Sequence, residues 1–296
     1  MTPWSDIAAQ ISTTTKTAFN ANNIASISGG CINEAFCITD ANQKFFVKLN
    51  SANSALMFRV EAAGLSEIHN SNSLRVPAPI CWCWGKNDRH AWLVLEYVIM
   101  KNSCRDDAAA LGSGLAAMHR TYSDQFGWVR NNTIGNTPQI NTFSSCWSQF
   151  WRTHRLGYQL KLARENGYTG KLQKLGEQLM AELDTLFANV SPAASLLHGD
   201  LWIGNYSFGP EGKPILFDPA VYYGDRETDI AMTELFGKFP AAFYAAYQQD
   251  YPLDSGYNTR KILYNLYHIL NHLNLFGGVY RYQAEQMMTK LLVEIR

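Results

Sequence analysis

The chain has 296 residues, 25 basic and 25 acidic, for a formal net charge of zero, and 47% of it is hydrophobic against 17% charged. That balance excludes the charge-rich composition of disordered segments, and with no run of Lys or Arg it excludes an electrostatic footprint for nucleic acid. No stretch approaches the roughly 20 apolar residues of a membrane span, and the length is one at which chains divide into two cores.

Residues 1–21 carry Asp6, Lys16 and many Thr, not the basic and then apolar layout of an export signal. A cytoplasmic setting is therefore expected, with Cys31, Cys37, Cys81, Cys83, Cys104 and Cys146 as reduced thiols and not a disulfide framework. Cys81-Trp82-Cys83 has the wrong spacing for a zinc knuckle; on a strand the two thiols share one face, as small hydrophobes do.

Short β-prone runs at 24–27, 35–39 and 45–49, broken by Gly29-Gly30 and Asp40-Ala41-Asn42, predict antiparallel hairpins. Leu56, Val60, Leu65 and Ile68 at helical spacing predict a helix over 55–69, after which Val76-Pro77-Ala78-Pro79 restarts extended chain. Strands at 80–84 and 92–97 follow. A boundary near Val98, ahead of the polar stretch 101–107, separates a sheet-rich part with one helix (1–98) from a larger helical part (99–296). In the latter, helices are expected at 108–119, 147–166 and 172–187, then at 229–236, 241–249, 261–276 and 282–295. Between them, 191–223 reads as loops and one hairpin, with 207–208 and 214–217 flanking Gly209-Pro210-Glu211-Gly212.

That segment carries the chemistry. His198-Gly199-Asp200-Leu201-Trp202-Ile203-Gly204-Asn205, followed beyond the hairpin by Asp218-Pro219, has its polar groups spaced as phosphoryl transfer requires. Asp200 is expected to be the catalytic base that orients the acceptor hydroxyl. Asn205 and Asp218 are expected to hold Mg²⁺, because charge on the transferred phosphoryl repels a nucleophile until hard cations offset it. Singly these residues are turn formers; their joint spacing, with a hairpin returning Asp218 toward Asn205, gives the separation a geometric purpose. His198 is expected to hold the loop backbone.

Lys48, on the apolar run Phe45-Phe46-Val47-Lys48-Leu49, and Glu61, on the helix that follows, form the second constellation. Lys48 would contact the α- and β-phosphates of ATP and Glu61 would hold its ammonium in place. A surface salt bridge is the ordinary alternative, and the apolar strand favours the positioned pair. The reading requires Lys48 and Asp218 to converge. Gly29 and Gly30 sit between two strands, where backbone N–H groups can approach phosphates closely, or where a plain hairpin turn would do. Glu96-Tyr97-Val98 would be the hinge whose backbone binds adenine.

With these residues in view, the chain resembles the fructosamine kinase (ketosamine kinase) family, relatives of the aminoglycoside and choline kinases. The resemblance covers nearly the whole chain and rests on Gly29-Gly30-Cys31-Ile32-Asn33, Phe45-Phe46-Val47-Lys48, the run from Ser195 to Trp202, the run from Phe217 to Gly224, and Leu270-Asn271-His272-Leu273-Asn274. It implies an α+β, bilobal protein-kinase-like fold, with a small antiparallel-sheet lobe and a larger mainly helical one. It also implies ATP and Mg²⁺, and phosphorylation of the 3-hydroxyl of a ketosamine, free or on a protein lysine, leading to deglycation. Trp202 would then be a stacking platform for the sugar, against the alternative of a core aromatic. The family usually has a small Ser where this chain has Ile203, which bears on substrate choice. Relatives use a cysteine at the place of Cys31 as a redox switch, implying a monomer or a redox-dependent dimer; an unreactive loop thiol is the plain alternative. The connection after Asp218 is short, and Asp229 reads as a helix cap or loop brace. Two other readings stay open: another small-molecule kinase acting on an aminoglycoside, choline or similar alcohol, and a nucleotide-binding pseudokinase.

Overall fold

The β-prone runs on either side of Asp40-Ala41-Asn42 make two strands, and a computed structural model of the chain, which describes residues 3–28, 32–84, 89–101 and 108–295, pairs them inside a five-stranded sheet. In chain order the strands are β1 (Asn23–Ile27), β2 (Glu34–Thr39), β3 (Lys44–Ser51), β4 (Pro79–Trp84) and β5 (His90–Glu96). In space they run β1-β2-β3-β5-β4, every pair antiparallel. Phe45, Val47 and Leu49 of β3 and Trp92 and Val94 of β5 point to one face, where they pack with Ile7 and Ile11 of a first helix, α1 (Trp4–Thr15). Cys81 and Cys83 join the same cluster, as two-residue spacing requires.

Residue spacing hides α1, so this part has two helices where one is expected. Its second half is Ser12-Thr13-Thr14-Thr15, poor helix formers whose hydroxyls ordinarily compete with the backbone. Here Ser12, Thr13 and Thr15 turn theirs onto the carbonyls of Ala8, Ala9 and Ile11 at 2.9 Å each. Burial of Ile7 and Ile11 supplies what propensity lacks. Trp92 also donates its indole N–H to Gln10 Oε1 at 2.8 Å, tying the helix to the sheet. A second helix, α2 (Ala55–Asn70), packs on β4 and β5.

The chain falls into two compact units, 1–107 with 207–219 and 108–206 with 220–296. A cut in sequence order near Val98 leaves 207–219 with the helices. Its backbone bonds run elsewhere: Lys101 N–H donates to Phe208 O at 2.8 Å and Leu216 N–H to Arg75 O at 2.9 Å.

In the second unit, α3 (Ala108–Met118) is followed by a small hairpin, β6 (Asn132–Ile134) and β7 (Thr137–Gln139), turned by Gly135-Asn136. Next come α4 (Trp147–Trp151), one π-helical turn (Arg152–Leu156) and α5 (Gly157–Glu165), which together fill the single helix expected at 147–166. The extra residue in the wide turn lets Trp151, Arg155 and Leu156 all point inward, each 1% exposed or less. Then come α6 (Lys171–Glu182) and β8 (Ser195–Leu197), which pairs antiparallel with β11 (Tyr222–Gly224); the hairpin strands β9 (Tyr206–Phe208) and β10 (Pro214–Leu216), between them in sequence, belong from Ser207 onward to the first unit. The chain ends in α7 (Glu227–Met232), α8 (Ala241–Asp250), α9 (Tyr257–Phe276) and α10 (Val279–Glu294). Among the described residues, no helix is long and apolar enough to cross a membrane.

The interior of this unit is polar in places. Arg260 of α9 donates from Nε and Nη2 to both oxygens of Glu227 at 2.8 Å each, with both side chains buried. Replacing Glu227 with Ala strands the guanidinium and is expected to cost about 3–5 kcal/mol, whereas Glu227→Leu with Arg260→Met should be close to neutral; urea unfolding midpoints of the two variants measure the difference.

Candidate active site

Two clusters hold the residues singled out above. In the first unit, Lys48 sits mid-strand in β3, paired with Ala35 on one side and Leu93 on the other. Being one step out of phase with Val47 and Leu49, it faces away from the α1 cluster. A lysine 7% exposed needs partners. It has two: Nζ donates to Glu61 Oε1 of α2 and to Asp218 Oδ1, at 2.6 Å each. Burial alone would lower the ammonium; Glu61 and Asp218 outweigh it and hold it above its ordinary value, so Lys48 stays charged. Burial lifts Glu61 above the usual carboxylate range, against the pull of Lys48 and with a push from Asp218. The expected convergence of Lys48, Glu61 and Asp218 is therefore present.

Asp218 follows β10 in the left-handed region, φ 57°, which non-glycine residues rarely adopt. Its side chain keeps 49% of its surface exposed, against 11% for Glu61. At the end of β5, Glu96 is held by Arg75 Nη2 at 2.6 Å and by Ala78 N–H, and its own N–H donates to Ala78 O. Lys44 lies 3.9 Å from the centre of the Tyr97 ring, and Val98 follows, half-buried. Gly29, Gly30 and Cys31 lie outside the described residues. The chain beyond them is anchored to β3, because Asn50 Nδ2 donates to Ile32 O and Asn33 Oδ1.

In the second unit, the loop after β8 is built around Asp229. Its Oδ2 accepts from His198 N–H at 2.7 Å and its Oδ1 from Gly199 N–H at 2.9 Å, so one buried carboxylate collects two successive backbone donors. Gly199 has φ 81°, and a β-carbon there would stand 2.1 Å from Ala220 O. His198 Nδ1 accepts from Asp200 N–H at 3.3 Å, the backbone-holding role expected of it. Asn205 donates Nδ2 to Asp200 O at 2.8 Å and to Asp200 Oδ2 at 3.2 Å. Its amide nitrogen is thus spent on the neighbouring aspartate, leaving Oδ1 as the atom that suits a hard cation. Trp202 is 36% exposed and so no core aromatic, and Gly204 gives its ring room, since a β-carbon there would lie 2.4 Å from the indole.

Among the described residues, no three His, Cys, Asp or Glu side chains gather as a metal site. The Asn205 amide oxygen and the Asp218 carboxylate are each hard oxygen donors of the kind Mg²⁺ takes, and that ion needs few protein ligands because water and phosphate complete its shell.

Residue types alone do not reveal what stands behind Asp229. His119, just past the end of α3, places Nε2 3.2 Å from Asp229 Oδ2 and Nδ1 2.8 Å from the Tyr247 hydroxyl. Burial keeps its imidazole below the ordinary value, so the neutral ring donates from Nε2 and accepts at Nδ1. A histidine at the end of a predicted helix carries no local signal for this.

Residues 3–294 match the family described as fructosamine kinase. A protein of Synechocystis sp. named "Probable ketoamine kinase" is 48% identical over 291 residues, covering 98% of this chain and 97% of its own. "Protein-ribulosamine 3-kinase, chloroplastic" of Arabidopsis thaliana is 40% identical over 277 residues, 93% of this chain and 84% of its own. A crystal structure from Haemophilus somnus 129PT, provisionally named a fructosamine-3-kinase, superposes with a TM-score of 0.89 at 29% identity, covering 98% of this chain and 97% of that one. Aminoglycoside phosphotransferases share the same protein-kinase-like fold at much lower identity: APH(4)-Ia with ADP and hygromycin B gives a TM-score of 0.62 at 13% identity, over 100% of this chain and 98% of that one.

Burial works to raise the Asp229 carboxyl, and the hydrogen bonds from His119 and Gly199 outweigh it, so the group lies below its ordinary value. A depressed carboxyl contributes stability above its unfolded value near about 3.9, and that contribution is lost as pH falls through the folded value. Asp229→Asn should lower the melting temperature at neutral pH and flatten its decline below about pH 4; thermal melts across the acid range check both.

Proposed function

The chain belongs to the fructosamine kinase family, and from that premise we propose that it transfers the γ-phosphoryl group of ATP to the 3-hydroxyl of ketosamines, fructosamine or ribulosamine, free or on a protein lysine, so promoting deglycation. The observation that carries the reading is the charged, buried Lys48 ammonium shared by Glu61 and Asp218. An ammonium fixed at two oxygens is a poor surface salt bridge and a good phosphate anchor, because its position no longer depends on a flexible stem.

Lys48 holds the α- and β-phosphates, and Glu61 keeps it in one rotamer. Gly29 and Gly30 offer backbone N–H groups to the phosphates, and Glu96, Tyr97 and Val98 take the adenine through their backbone. Asn205 Oδ1 and the Asp218 carboxylate would hold Mg²⁺, which when bound would offset the negative charge of the phosphates. Asp200 accepts a hydrogen bond from the 3-hydroxyl and takes its proton as the oxygen attacks. Two neighbouring contacts fix its orientation, the backbone bond to His198 and the side-chain bond from Asn205. Trp202 offers a flat apolar face to the sugar. The setting is cytoplasmic, and the protein is a monomer or, under oxidation, a dimer joined through Cys31. A reducible dimer band on a non-reducing gel, lost in Cys31→Ser, is the expected result for that last part.

Asp200→Asn should lower turnover of a ketosamine about 10²–10⁴-fold while leaving the dissociation constant for ATP within about twofold. A coupled ATPase assay with fructosamine, ribulosamine, choline and kanamycin, beside calorimetric titration of ATP, reads both quantities. An unchanged rate would exclude Asp200 as the base, and preference for choline or kanamycin would replace the acceptor.

A further inference from the structure

Ala220, which follows Asp218-Pro219 in the chain, is held on both sides of its backbone. Its N–H donates to His198 O at 2.8 Å, and its carbonyl accepts from Gln139 Nε2 at 3.0 Å. The same carbonyl is the atom pressed against Gly199, so the segment after Asp218 and the loop leading to Asp200 fit each other without slack.

Gln139, at the end of β7 and 1% exposed, has its amide fully committed. Nε2 also donates to Asn132 Oδ1 at 2.9 Å, and Oε1 accepts the Tyr267 hydroxyl of α9 at 2.8 Å. Asn132 in turn donates to Val221 O at 2.8 Å, so two successive carbonyls, 220 and 221, are gripped by two side-chain amides of one hairpin. Asn132 Oδ1 takes a second bond from Asn141 Nδ2 at 2.9 Å, and Asn141 Oδ1 accepts from Arg155 Nη2 at 2.8 Å. Arg155 is fully buried, with its guanidinium 4.1 Å from the centre of the Tyr222 ring and 4.7 Å from that of Phe150.

A core that needed only to be filled would hold apolar side chains here, since the buried amides of Gln139 and Asn141, the half-buried amide of Asn132 and the buried Arg155 cation are costly to take out of water. What such a network supplies is direction. A hydroxyl donor at Oε1 and acceptors at Nε2 leave the Gln139 amide a single orientation.

We propose that Gln139, aligned by Tyr267 and Asn132, is a positioning residue for phosphoryl transfer. It fixes Ala220, and through the Ala220–His198 bond it fixes the loop that carries Asp200. The inference rests on the activity proposed above. In that reading Gln139 touches neither nucleotide nor sugar, so its loss should appear in the chemical step and not in binding.

Gln139→Met keeps the length of the side chain and removes the amide; Tyr267→Phe removes only the hydroxyl that aligns it. Gln139→Met should lower kcat for a ketosamine about 10- to 100-fold, the loss expected of a displacement near 1 Å, with both KM values within about twofold. Tyr267→Phe should show a smaller loss with the same split. Hydrogen exchange followed by mass spectrometry should show faster exchange in peptides covering 198–202 and 220–222 of both variants, with α10 unchanged. A folded Gln139→Met enzyme with unaltered kcat, or with KM raised and kcat intact, overturns the proposal. If Gln139→Met fails to fold, Tyr267→Phe decides on the same criteria. If the wild-type protein turns over no ketosamine, the activity reading fails on its own, and unaltered exchange at 198–202 in the variants would still overturn the latch.

Discussion

An ammonium taken out of water must be given back its electrostatic partners, and in the first unit that requirement governs the arrangement. Desolvating Lys48 would cost several kcal/mol were it left alone. Glu61 from α2 and Asp218 from the stretch after β10 remove that cost together, so three segments, one of them 170 residues further along the chain, must meet at one atom. The two carboxylates differ in their surroundings. Glu61 is enclosed and serves to hold; Asp218 is half exposed and sits on a backbone in the left-handed region, the kind of strained, accessible position where proteins place groups that exchange partners.

The second unit solves a different problem with the same chemistry. Its loop has no regular ladder to satisfy the N–H groups of His198 and Gly199, and the Asp229 carboxylate replaces that ladder. Behind it stand His119, Tyr247 and Arg226, the last donating to the Tyr247 hydroxyl at 3.2 Å. On the other flank stand Gln139, Asn132 and Asn141. Polar groups this deep seldom add to stability over an apolar filling, so their presence beside Asp200 fits a demand for one conformation over its near alternatives.

Much of this was legible because it is local. The apolar run Phe45-Phe46-Val47-Lys48-Leu49 announces a strand with one odd residue, and the spacing of Leu56, Val60, Leu65 and Ile68 announces α2. The spacing of Asp200, Asn205 and Asp218 needs no knowledge of the rest of the chain. What escaped was carried by tertiary contact. Helix α1 ends in threonines and stands because Ile7 and Ile11 are buried. The strands β6 and β7 are three residues each, too short for periodicity to register. The π turn leaves no trace in residue types. Asp229 reads equally as a cap or a brace until His198 and Gly199, some thirty positions upstream, are seen on it.

The first unit is assembled from two pieces, and residues 108–206 are made between them. On a ribosome adding about 5–20 residues per second, the first unit waits on the order of 5–20 s for its last hairpin. Throughout that interval Lys48 has Glu61 but no Asp218, the Arg75 carbonyl has no Leu216 N–H to accept from, and the Lys101 N–H has no Phe208 carbonyl to donate to. Neither unit can be cut from the gene as one uninterrupted stretch. The first unit therefore reaches its final form only after residues 108–206 have been translated, although its five-stranded sheet was made first.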